Sequence, residues 1–142
     1  MLHLNAELTK NFRFMEAKIS QTVRQTSDLL RLTYGIVPIV AGLDKFFNIL
    51  AHWENYIPSS FSSSLPFSPQ SLMVIVGIIE IVAGLIVLAK PVIGGYIVSA
   101  WLVLIGIILL AGGTYLDVAV RDFVMAIGAF SLTRLANFTH KY

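Results

Sequence analysis

Residues 72–111 read LMVIVGIIEIVAGLIVLAKPVIGGYIVSAWLVLIGIILLA, with Glu80 and Lys90 as the only charges. Lys90-Pro91 divides the stretch into two apolar runs, 72–89 and 92–111. Each run approaches the roughly 20 residues an α-helix needs to cross a ~30 Å hydrocarbon core. In lipid an isolated segment satisfies its own backbone only as a helix. Pro91 suits the first turn of a helix and not its interior, so the two runs are expected to form a tight antiparallel hairpin. Gly77 and Gly84 then mark close helix packing rather than helix breaks.

Two more apolar stretches flank this hairpin, at about residues 30–50 and 118–136. Gly112-Gly113-Thr114 supplies the turn before the last of them, and Gly42 is a third small packing position in the first. A neutral Ser/Pro stretch, residues 58–71 with Phe61, Leu65 and Phe67, joins the first two helices and is expected at the bundle mouth. The fold class this predicts is all-α: an integral membrane four-helix bundle over residues 30–142. Composition agrees, because 56% of the 142 residues are hydrophobic and only 13% are charged, where a soluble domain carries about a quarter charged residues.

The first 29 residues differ in kind. Leu4, Leu8, Phe12, Met15, Ile19 and Val23 recur at helical spacing, while Glu7, Lys10, Arg13, Glu16, Lys18 and Arg24 take the other faces. This predicts an amphipathic helix over 1–29 lying at the membrane surface; packing on a partner protein is the alternative. It lacks the continuous apolar core and small-residue cleavage site of a signal peptide.

Basic residues set the orientation. Lys10, Arg13, Lys18, Arg24, Arg31, Lys90, Arg134 and Lys141 fall on one side and Arg121 alone on the other, leaving Lys45 within a helix. Both termini are therefore expected in the cytoplasm, in a bacterial inner membrane. Trp53, Tyr56 and Tyr115 fall together at the opposite, outer interface, where amphipathic rings concentrate.

Charges within the apolar stretches are the informative positions, since each costs at least ~2.5–3.5 kcal/mol at a helix centre. Asp44 and Lys45 lie in the first span, Glu80 mid-way along the second, and Asp117, Arg121 and Asp122 at the start of the fourth. They come from three helices at a similar depth, which predicts one intramembrane polar cluster. Lys45 is expected to pair with Glu80, and Arg121 with Asp44 or Asp122; Arg121 also follows Asp117 by four on one helix face. The cluster reads equally well as a structural device that fixes helix register. Glu80 sits between Gly77 and Gly84, which puts its carboxyl at a helix interface.

Little else carries chemistry. No catalytic motif stands out, and Trp101 mid-way along the third helix reads as packing. There is no cysteine, which removes disulfide, thiol-redox and thiolate-metal chemistry within the chain. His3, His52 and His140 show no metal-ligand spacing, so neither a metal site nor any other cofactor site built by this chain alone is expected. The basic residues sit at helix ends instead of forming a patch, which excludes nucleic acid as a partner; the lipid bilayer takes that place.

Gly42–Phe47 reads GLDKFF, preceded by Arg31 and Gly35 and followed by Trp53 and Tyr56; residues 77–84 read GIIEIVAG, followed by Pro91 and Gly94-Gly95. Over about residues 29–138 this pattern resembles the DoxX-like family of small four-helix membrane proteins. Arg31, Gly42, Lys45, Glu80 and Gly84 are the matching positions, and the resemblance gives none of them a catalytic role. It implies an accessory subunit of a quinone-linked or oxidative-stress membrane redox complex, with a redox partner protein or a homo-oligomer as its company. A quinone is the cofactor it brings in. The amphipathic start departs from the family's shorter pattern, and the lack of cysteine argues against a thiol-based version. A structural or assembly protein is the second expectation, and a small transporter with Glu80 and Lys45 in its path the third.

Overall fold

The computed structural model describes residues 2–58, 66 and 68–139. Within them the chain is all-helical, with four α-helices and no strand: α1 (Leu2–Phe47), α2 (Pro69–Ala89), α3 (Pro91–Gly112) and α4 (Leu116–Thr139). A single 3₁₀ turn, Trp53–Tyr56, follows α1. Phe61, Leu65, Phe67, His140 and Lys141 lie outside the described residues.

Local chemistry accounts for the helix ends. Ser68 caps α2 by accepting from the Ser71 N–H at 3.2 Å, and Pro69 takes the first helical position. That moves the start three residues ahead of the expected 72, because the cap and proline recruit a polar turn that the apolar run does not include. One residue, Lys90, joins α2 to α3. Gly113 ends α3 at φ +71°, with its N–H reaching the Leu109 and Leu110 carbonyls, a left-handed cap that glycine adopts without strain. The fourth helix runs 116–139 instead of 118–136.

The first helix departs most from expectation. The segments expected over 1–29 and 30–50 form one unbroken helix of 46 residues, about 69 Å long at 1.5 Å per residue. No glycine or proline occurs between Leu2 and Tyr34 to interrupt it. It stops at Phe47, ahead of Leu50, where Asn48 turns to φ +51°.

Four helices pack as an antiparallel ring. The broad interfaces are α1 on α2 and α3 on α4, with α2–α3 and α1–α4 closing the ring. Residues 5–22 of α1 are exposed throughout and project beyond the others as an arm. Within the ring a few bulky side chains, Val87, Val98, Leu109 and Leu132, are buried among mostly small ones. On α4 the buried residues are Ala119, Asp122, Ala126, Ala129, Leu132, Thr133 and Ala136, most of them small, while Val120, Val124 and Ile127 are more than half exposed. Small residues at most inward positions, with many bulky aliphatic ones outside, let the backbones approach. Gly42 and Gly77 show the contact directly: a Cβ on either would lie 2.6–2.7 Å from the other's carbonyl oxygen.

Polar side chains tie the helices together. Tyr34 donates to the Met125 carbonyl at 2.8 Å and Ser99 to that of Ala126 at 3.0 Å. Arg31 Nε donates to the Leu88 carbonyl at 2.9 Å, which satisfies one of the orphan acceptors at the end of α2. Among the described residues, α2 and α3 are long and apolar enough to cross a membrane. The same measure does not select α1 or α4, whose bundle portions carry Arg31, Asp44 and Lys45, and Asp117, Arg121, Asp122 and Arg134.

Candidate functional site

The ring end that carries Trp53 holds a buried ion pair. Lys45 Nζ and Glu80 Oε2 are 2.6 Å apart, with side chains 4% and 13% exposed. The glycine contact explains how they meet. Gly42 precedes Lys45 by three and Gly77 precedes Glu80 by three, so the touching backbones set both side chains in one interhelical layer. Lys45 Nζ also lies 3.8 Å from the centroid of the Trp53 ring, where a cation is attracted by the aromatic face.

A third group completes the layer from α4. Asp122 is 7% exposed and within electrostatic range of Glu80, Lys45 and Arg121. From α3, the Trp101 indole interacts with the Glu80 carboxyl. Its buried N–H nevertheless reaches no partner at full hydrogen-bond geometry. All four helices thus contribute to one group of an ammonium, two carboxyls and an indole. A buried donor left short of a partner costs about 1–3 kcal/mol, so Trp101 Nε1 is the exceptional atom.

Asp44 does a separate job. Its carboxylate accepts from the Ile49 N–H at 3.0 Å, the Leu50 N–H at 2.9 Å and Trp53 Nε1 at 2.7 Å. These contacts fold the chain back over the end of α1 and hold Trp53 above Lys45. Trp53, Tyr56 and Tyr115 then run as a chain of tilted rings, with centroids 6.1 and 4.8 Å apart.

The expected cluster therefore divides. Lys45, Glu80 and Asp122 come together, and Asp44 adjoins them through Trp53. Arg121 does not reach Asp44; its ion-pair partner is Asp117, at 3.9 Å with both side chains well exposed. The exposed face of α4 keeps that pair outside, because Asp122 takes the inward position of the same turn. Gly42, Gly77 and Gly84 all sit at the α1–α2 contact, Gly84 against the Gly35 carbonyl.

Trp101 read as packing in the sequence, although a signal for its role was present. In a hairpin whose only connector is Lys90, positions whose numbers sum to about 180 stand at similar depth, and 80 and 101 fall within one residue of that. Gly94 against Val87 is offset by the same single residue. Among the described residues no group of three His, Asp or Glu side chains converges so as to hold a metal ion. Compared with known proteins, the chain matches no family model, no curated protein and no solved structure.

Proposed function

We propose that the protein is an integral membrane four-helix bundle of the DoxX-like kind, serving as a quinone-proximal accessory subunit of a redox complex in the bacterial inner membrane. The observation that carries this reading is a bundle with a bulky apolar exterior around a buried Lys45–Glu80 pair with an incompletely satisfied Trp101 N–H. Bulky apolar side chains outside and mostly small or charged ones inside suit a lipid surroundings and not water. With both termini cytoplasmic, the charged layer and the Trp53–Tyr56–Tyr115 rings lie in the outer half of the membrane, and the arm of α1 belongs to the cytoplasmic side.

The residues present fit a quinone's needs. A quinone supplies two-electron, two-proton redox chemistry and presents carbonyl oxygens, which require donors. The Trp101 indole N–H and the Lys45 ammonium are buried donors in one layer, and Asp122 and Glu80 are carboxyls able to hold protons nearby. The chain itself would bind and orient the ring, while a partner supplies the electron-transfer centre.

Mild-detergent purification with mass spectrometry of bound proteins, an absorbance spectrum and quinone extraction tests this. Co-purification of a cofactor-bearing membrane protein, with extractable quinone lost in Trp101→Phe, is the expected result. A colourless homo-oligomer free of partner and quinone would overturn it.

The full engagement of Lys45 by Glu80 favours a second reading, a structural or assembly protein whose charges only fix helix register. Replacing a buried pair by apolar residues of similar size is often neutral or stabilising. A Lys45→Met/Glu80→Leu double variant that folds and keeps cellular function supports the assembly role; one that folds and loses function rejects it.

A further inference from the structure

At the opposite end of the ring, α1, the first turn of α3 and the last turn of α4 border a partly open cavity of about 170 Å³. Arg24, Ser27, Asp28 and Arg31 line it from α1, Pro91 from α3 and Thr139 from α4. Ser27 is only 6% exposed, and its hydroxyl makes no hydrogen bond to any described residue. Polar side chains this far buried are nearly always partnered, so a Ser27 hydroxyl that lines the cavity unbonded is a donor on offer to whatever occupies it.

The charges around Ser27 define what that is. Arg31 is anchored by Nε and Nη2 on the Leu88 carbonyl, which fixes its guanidinium at the cavity with further N–H donors to spare. Arg24 and Asp28 are four apart on one helix face, yet form no ion pair with each other or with another described residue. Arginine placed ahead of an acid is the less favourable order for such a pair. The start of α3 adds partial positive charge, since Lys90 gives it no side-chain cap and its first turn has no acid. An anion is attracted by two guanidiniums and a helix N-terminus, while the exposed, unpaired carboxylate of Asp28 on the same rim is available to a cation.

We propose that this cavity seats a phosphoethanolamine group, its phosphate on Arg24, Arg31 and Ser27 and its ammonium on Asp28. On the membrane reading above, on which this rests, the cavity lies at the cytoplasmic leaflet and the group is a phospholipid headgroup. A simple anionic headgroup leaves Asp28 facing a like charge, so the site selects the zwitterion.

Native mass spectrometry of the full chain, released from bilayers of equimolar phosphatidylethanolamine and phosphatidylglycerol, tests the proposal. Phosphatidylethanolamine is expected to be retained over phosphatidylglycerol by about fivefold, the effect of one well-placed charge near a membrane surface. Asp28→Asn abolishes that preference while lipid is still retained. Arg24→Gln, at an exposed position that does not threaten folding, lowers retention by about the same factor. Arg31 is left unchanged because it also holds the end of α2. Displacement by glycerophosphoethanolamine assigns the same chemistry to a soluble phosphodiester, and resistance to it assigns the group to lipid. Equal retention of the two lipids, unmoved by both variants, overturns the proposal. Release of the protein from membranes by carbonate would instead overturn the membrane reading, and glycerophosphoethanolamine binding to the released chain would still test the cavity.

Discussion

One helix carries the two least similar surfaces of the molecule. Along its arm α1 leaves Leu8, Phe12, Met15 and Ile19 more than half exposed, whereas between Ser27 and Phe47 it buries Ser27, Asp44 and Lys45. The apolar stripe itself does not change: it continues through Val23 to Leu30 and Tyr34, both packed on the core. What changes is the size of the residues beside it. No glycine precedes Gly35, and from there Gly35 and Gly42 admit the α2 backbone. Burial along α1 therefore follows access to a partner backbone more than hydropathy. Charges go in where glycine lets a helix approach, and phenylalanine stays out where nothing does.

Removing one lysine from each half tests that contrast most severely. Lys45→Met leaves Glu80 and Asp122 without their buried cation, and a broken buried pair costs about 3–5 kcal/mol. Lys18→Met, in the arm, is expected to change stability by no more than about 0.5 kcal/mol, as for an ordinary surface position. Equilibrium unfolding in mild detergent reads both, since Trp53 and Trp101 are the only tryptophans and both belong to the bundle. Adding Glu80→Leu to Lys45→Met should restore most of the loss. Equal, small losses from the two lysine variants would show that the buried pair contributes nothing distinctive.

The glycine contact comes next in size. Gly77→Val places a branched side chain where even a Cβ would meet the Gly42 carbonyl oxygen at 2.7 Å. Helical backbone cannot give way as a flexible side chain does, so a loss of about 1–3 kcal/mol is expected, the usual range for overpacking. Ala17→Val in the arm meets no neighbouring helix and is limited to the small propensity difference between the two residues. A Gly77→Val protein that melts at the wild-type temperature would mean that α1 and α2 are not held this closely.

These variants also show which features could be read from residues alone. The α2–α3 hairpin was legible because Lys90-Pro91 interrupts otherwise continuous apolar sequence, and the Lys45–Glu80 pair because the two charges fall at a similar depth in different apolar stretches. The unbroken α1 was harder. A helix with one apolar stripe and a helix apolar on most faces look like two elements, although nothing between residues 29 and 30 breaks the chain. Asp44 was illegible for another reason. Its partners are backbone N–H groups freed only because the helix ends at Phe47, and periodicity does not locate that end. Arg121 was legible in part: its spacing from Asp117 gave the pair that forms and it acts on Asp122 electrostatically, but Asp44 lies out of its reach because Asp122 takes the inward position of that turn.

The smallest expected effect is also the most direct probe of the arm. Residues 5–22 have no tertiary cover, and an isolated helix of this length in water is marginal because propagation barely offsets nucleation. Their amides should therefore exchange with solvent much sooner than those of residues 30–47, although both belong to one hydrogen-bond ladder. Ile19→Gln should leave the melting temperature of the bundle unchanged, to within the ~0.5 kcal/mol scatter of surface substitutions. Hydrogen exchange of the purified protein, followed residue by residue along α1, decides the point. Uniform protection from end to end would mean that the stripe Leu8–Phe12–Met15–Ile19 is covered in the protein as it exists. Burial along α1 would then follow hydropathy after all, and glycine would set only how closely each neighbour approaches.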